Sequence, residues 1–160
     1  VEWFHLPGHH FGMIGIKTSD DVYFVADTLG SIDLVERAHI LLIYYVKGYL
    51  SSLDFVESLD GKIVVPSHSE ATTKIKPVVE FNRQNIYHIM DILLDYLKEE
   101  HNCVECTSYI FDYYKLKITY NKYMLILSTV RSYLSYLSNS KIIKNYFKDN
   151  RLVFMNESNE

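Results

Sequence analysis

The chain has 160 residues, 48% of them hydrophobic and 22% charged, with 16 Lys+Arg against 20 Asp+Glu and a formal charge of −4. That is the make-up of a globular chain of one domain or slightly more, and it excludes the disordered and collagenous classes. The densest apolar run, Ile40–Val46, is far shorter than the roughly 20 residues of a membrane span.

Two cysteines do not make a disulfide scaffold, and Val1–His5 lacks the basic start and apolar run of a signal peptide, so a cytoplasmic protein is expected. Charge is uneven: residues 1–101 carry 8 Lys+Arg and 15 Asp+Glu, a balance of −7, and residues 102–160 carry 8 and 5, a balance of +3. Two units meeting at 101/102 are therefore expected. The basic excess forms no dense patch, so a nucleic-acid partner is not expected.

In chain order, Met13–Lys17 and Val22–Val25 read as two strands joined across Thr18-Ser-Asp-Asp21. Residues 33–58 read as helical, with Leu50, Leu53, Val56 and Leu59 at three-residue steps, Ser51 and Ser52 as caps, and Gly61 closing. Lys62–Val65 is a short buried strand ending at Pro66. Strand, helix, strand predicts an α/β layer. Pro77–His101 is a long amphipathic helix with Ile86, Ile89, Met90, Leu93, Leu94 and Leu97 on one face. Helices over Cys106–Tyr114 and Tyr123–Leu137 follow. Lys141–Phe147 and Arg151–Met155 then flank Lys148-Asp-Asn150, a hairpin turn signal. Three helices and a hairpin are the order of a winged helix.

Three strand ends carry metal-ligand chemistry: Pro7-Gly-His-His-Phe-Gly12 before a strand, Ala26-Asp-Thr28 after one, and Pro66-Ser-His68 after another. Rigid elements can aim such side chains at one point. Imidazole, carboxylate and imidazole suit zinc, manganese or iron and argue against a structural cysteine site.

Leu6-Pro-Gly-His-His-Phe-Gly-Met-Ile-Gly15, Tyr23-Phe-Val-Ala-Asp-Thr28 and Val64-Val-Pro-Ser-His68 together resemble the metallo-β-lactamase superfamily in order and spacing. The resemblance covers about residues 3–70. It implies the C-terminal half of an αββα sandwich over residues 1–101, followed by a small winged-helix-like domain over 102–160. It further implies two divalent metal ions, zinc foremost and manganese or iron as alternatives. His9 would bind the first, His68 the second, and Asp27 both, which makes Asp27 the catalytic carboxylate as well. Ala26, Ser67 and Ser69 stand where the family carries glycines. The implied activity is hydrolysis of an ester, thioester, lactam or phosphodiester in a small-molecule substrate by a metal-activated water.

The family's His-x-His-x-Asp-His signature is absent, as is any His-x-His. Two protein ligands rarely hold a catalytic zinc, which ordinarily has three. The chain is accordingly expected to be a C-terminal fragment. Alone it would be inactive and weak in metal binding, partnered by its missing N-terminal half or by a second copy. The alternative is a non-catalytic winged-helix module that binds DNA or protein, and similar tails occur on bacterial members of the superfamily.

The remaining candidates have plainer readings. Cys103-Val-Glu-Cys106 beside His101 has redox or zinc spacing without a second pair, so packing is expected. His10 is expected to line the pocket or face solvent, and His39 and His88 to lie on helices. His5 lies in an opening strand with no evident partner.

Overall fold

The computed structural model describes residues 1–156. It divides into two compact units, Val1–Tyr87 and the remainder from His88 onward. The division lies inside a helix and not at 101/102, where the charge balance changes. Residues 157–160 of the expected tail lie outside the described residues.

The first unit is built on a four-stranded sheet in the order β1 (Glu2–His5), β2 (Ile14–Lys17), β3 (Val22–Gly30), β4 (Ile63–His68). β1, β2 and β3 pair antiparallel, while β4 runs parallel to β3. A parallel neighbour needs a crossover, supplied by α1 (Ile32–Ala38) and α2 (Val46–Glu57). The single helix expected over 33–58 is thus two helices. His39 leaves α1 at φ +62°, a left-handed exit that ends the helix. Ser51 and Ser52 are not caps but interior to α2, whose N-cap position is Tyr45. α2 ends at Ser58, and Gly61 makes the following turn at φ +88°.

Alternation along the strands splits the sheet into two unlike faces. On one, Val25 and Val64 are fully buried, and Phe4 packs on Phe55 of α2 with ring centroids 4.9 Å apart. On the other, Trp3 pairs with Ile16, Ile16 with Phe24, and Phe24 with Val65. This apolar row crosses all four strands, yet Trp3 is 72% exposed, Phe24 44% and Ile16 38%. A hollow of about 210 Å³ lies along it between Ile14, Phe24 and Pro66.

The long helix α3 (Lys76–Tyr96) begins where the apolar stripe predicts but stops short of His101, where β5 (His101–Asn102) intervenes. The second unit holds the end of α3, β5, α4 (Cys103–Tyr113), α5 (Tyr120–Asn139), β6 (Ile143–Lys148) and β7 (Arg151–Asn156). Its strands form one antiparallel sheet in the order β5-β7-β6. Lys148 pairs with Arg151 around Asp149 (φ +49°) and Asn150 (φ +59°). Two successive left-handed residues are the backbone of a type I′ hairpin turn.

Candidate metal centre

Asp27 is not in a turn beyond the strand, as its position after Val25 suggests, but within β3. The strand is irregular there. Its register with β4 shifts between Phe24 and Ala26 and again before Gly30, and Ala26 sits at φ +47°. This bulge re-aims the following side chain, which explains the preference for glycine at a position that here carries alanine. His68 is the last residue of β4, not a residue beyond it. His9 lies in the connection between β1 and β2.

That connection is held against α2. Gly8 adopts φ +143°, and a Cβ on it would lie 2.4 Å from the Tyr49 Cα. Its carbonyl accepts from the Tyr44 and Tyr45 amides at 2.9 and 3.0 Å. The Ser52 hydroxyl donates to the Pro7 carbonyl at 2.8 Å. Only glycine meets both the torsion and the close approach at position 8.

The three side chains named from the sequence come together at one edge of the sheet. His9 Nε2 lies 3.5 Å from Asp27 Oδ2, and His68 Nε2 lies 3.4 Å from Asp27 Oδ1. Each imidazole therefore faces a different carboxylate oxygen. Among the described residues, no three His, Cys, Asp or Glu side chains gather around one point; the contacts run as two separate pairs.

The tautomer of His9 is set by its other nitrogen. Nδ1 is 3.0 Å from the Leu42 carbonyl, which can only accept, so Nδ1 carries the proton. In the neutral ring, Nε2 then presents a lone pair toward Asp27 Oδ2, with room for a cation between them. Charge-assisted N–H···O bonds close to about 2.7–2.9 Å. Two ligands about 2.0–2.1 Å from one tetrahedral ion instead stand roughly 3.3–3.4 Å apart, near the observed separations. A backbone carbonyl on the far nitrogen is also the usual support of a metal-binding histidine. The donor types suit divalent ions, but only one His nitrogen and one Asp oxygen face each position, and no group of three ligands forms among the described residues.

Asp27, His9 and His68 are 35%, 30% and 54% exposed, so the edge is open. An open hollow of about 720 Å³ adjoins His68, walled by Ser31, Asp33, Glu70 and Thr72. Tyr49 lies beneath the edge, fully enclosed. Burial pushes its phenol well above the usual range and the Asp27 charge adds to this, so it stays neutral.

The other candidates fall outside this edge. His10 is exposed and accepts from the Gly12 amide at 3.3 Å. His5 has a partner after all, Nε2 lying 2.7 Å from the Phe11 carbonyl. His39 ends α1, and His88 is exposed on α3, edge-on to Tyr113. Cys106 is fully buried, and desolvation pushes its thiol up to about 12. Burial raises Cys103 as well. A reactive Cys-x-x-Cys needs a depressed pKa, so this pair packs.

These elements form an α/β fold that is structurally similar to metallo-β-lactamase domains. The chain is similar to a β-lactamase domain protein from Burkholderia ambifaria at a TM-score of 0.76 and 14% identity, over 96% of this chain and 48% of that one. It is also similar to a metallo-β-lactamase family protein from Thermus thermophilus at a TM-score of 0.73 and 15% identity, over 98% of this chain and 49% of that one. The chain thus spans about half the length of each. No protein-family model and no curated protein matches it. At such identities the likeness is one of fold.

Proposed function

We propose that the chain carries one half of the dinuclear metal site of a metal-dependent hydrolase, completed by a polypeptide that covers the exposed face of its sheet. The observation that carries this reading is the pairing of two imidazoles with the two oxygens of Asp27, at 3.5 and 3.4 Å. His9 and Asp27 would hold one ion, His68 and Asp27 the other. Such ions, when bound, polarise a carbonyl or phosphoryl group and lower the pKa of a water to about 7. The Leu42 carbonyl keeps the His9 lone pair aimed, and the bulge at Ala26 presents Asp27 between the imidazoles.

Two ligands per ion are one short of a catalytic zinc site. The row Trp3–Ile16–Phe24–Val65 crosses strands that themselves carry or adjoin His9, Asp27 and His68. A segment lying on that row reaches the same edge and can supply the remaining ligands. The solved structures that share this fold are about twice as long. On this reading the activity belongs to the completed domain.

From His88 on, the order helix, strand, helix, helix and hairpin supports reading this unit as winged-helix-like. On α5, where such a fold reads DNA, Tyr120, Met124 and Leu125 are exposed beside Lys122 and Arg131. A DNA reader needs amide and basic groups there, so contact with protein is the reading this surface favours. Titration of duplex DNA at two salt concentrations tests it, since a DNA binder loses affinity steeply with salt.

The central test is cobalt and zinc titration of the chain, alone and mixed with a polypeptide carrying a His-x-His-x-Asp-His half. Weak binding alone, lost in His9→Ala, Asp27→Asn and His68→Ala, and binding at least tenfold tighter in the mixture with hydrolase activity, are expected. Cobalt binding indifferent to all three substitutions would refute the assignment.

A further inference from the structure

His9 lies in the connection between β1 and β2 and His68 ends β4, yet both are fastened to one short stretch of chain. The Leu42 carbonyl accepts a hydrogen bond from His9 Nδ1–H. The Ser31 amide donates to the His68 carbonyl at 3.1 Å. Gly30, in register with His68, follows Asp27 by three residues. Residues 30–42 therefore touch or adjoin every member of the metal edge.

This stretch is itself tied to α3 at two points, one on each side of α1. Asn82 is 1% exposed. Its Oδ1 accepts from the Gly30 amide at 3.0 Å. Its Nδ2 donates to the Gly30 carbonyl at 2.8 Å and to the Val78 carbonyl at 2.9 Å. One side-chain amide thus satisfies both backbone groups of Gly30, as a neighbouring strand would. It does so where β3 has run beyond its pairing with β2, which reaches only Phe24. Beyond α1, Asn85 Nδ2 donates to the His39 carbonyl at 3.0 Å, where the chain turns left-handed. Val79 and Ile86 lie on the same buried stripe of α3 as Asn82. An apolar residue would fill that stripe equally well, but it would leave the Gly30 amide and carbonyl unpaired.

We infer that Asn82 and Asn85 are positioning residues of the metal edge: through segment 30–42 they set the rotation of His9 and the place of His68 against Asp27. This rests on the metal reading above for its consequence, though not for its geometry. Groups hydrogen-bonded directly to metal ligands commonly carry 10–100-fold of metal affinity; the Leu42 carbonyl is such a group for His9, and the asparagines hold the segment that carries it.

The full chain is compared with Asn82→Asp, Asn85→Ala and Val56→Ala. Asn82→Asp keeps an acceptor for the Gly30 amide and removes the donors. Val56→Ala is a core truncation in α2 that controls for lost stability. Cobalt affinity should fall about tenfold or more in Asn82→Asp and about threefold in Asn85→Ala, while Val56→Ala leaves it unchanged. The second readout needs no metal. Imidazole ¹⁵N spectra report whether His9 carries its proton on Nδ1, and amide exchange reports the Ser31 bond to His68. The Nδ1–H signature should be lost in Asn85→Ala, the Ser31 amide should exchange faster in Asn82→Asp, and both should persist in Val56→Ala. Retention of both signals in both asparagine variants overturns the inference, as does an equal cobalt loss in Val56→Ala. Cobalt binding indifferent to His9, Asp27 and His68 sinks only the metal reading, because the metal-free spectra still decide the positioning.

Discussion

Ala26 shows how one residue sets a site it does not join. It stands at φ +47°, a torsion that costs an L-residue roughly 1 kcal/mol and glycine nearly nothing. The strain sits immediately before Asp27, at the register shift that separates the carboxylate from regular pairing with β4. Ala26→Gly should raise the stability of the chain by about 0.5–1 kcal/mol while preserving the Asp27 contacts. Urea unfolding checks the first and cobalt titration the second. A loss of stability would mean that the alanine methyl packs usefully enough to outweigh its torsion. Gly8 is the converse: the Tyr49 backbone lies 2.4 Å from where a Cβ would be, so no side chain is tolerated without moving His9.

At the level of elements, helix ends explain much of where the chain turns. α1 begins at Ser31, whose side chain accepts from the Leu34 amide. α4 begins with a full capping box, Asn102 accepting from the Val104 and Glu105 amides while the Glu105 carboxylate accepts from the Asn102 amide at 2.8 Å. This box lets β5 pass directly into α4, with no loop between them. Removing it in Asn102→Ala should cost about 1 kcal/mol, read as a lower thermal midpoint. An unchanged midpoint would show that packing of Cys106, Ile110 and Phe111, all buried, holds this end unaided. β6 and β7 owe their register to Asp149-Asn150, whose two left-handed residues match strand twist.

For the whole molecule, the telling feature is a sheet with one face packed and one bare. Contiguous apolar patches of this kind rarely stay uncovered in a monomeric protein. The row Trp3–Ile16–Phe24–Val65 is therefore expected to drive association of the isolated chain. Sedimentation should show concentration-dependent self-association that Phe24→Lys weakens, because a charge in the centre of the row must be desolvated to be covered. The same substitution should weaken pairing with a complementary half. A monomer at all concentrations would remove the case for this face as an interface. On the proposed reading, metal binding would be linked to the same event, since ligand geometry and folding of such sites are coupled.

What the sequence determined unaided was local: strand and helix periodicity, the turn at Asp149-Asn150, and three motifs whose residues His9, Asp27 and His68 do meet at one sheet edge. Such features are legible because each depends on neighbours a few residues away. The break at His39, the bulge at Ala26 and the supports Leu42, Ser52 and Asn82 were not legible. Asn82 left a faint trace as a polar residue on a buried stripe, but nothing nearby in sequence names Gly30, 52 residues away, as its partner. Backbone carbonyls and amides carry no residue signature at all, so the groups that aim His9 and His68 exist only once the chain has folded. Tertiary structure also decided which face of the sheet stays bare, because alternation marks two faces without saying which one α2 will cover.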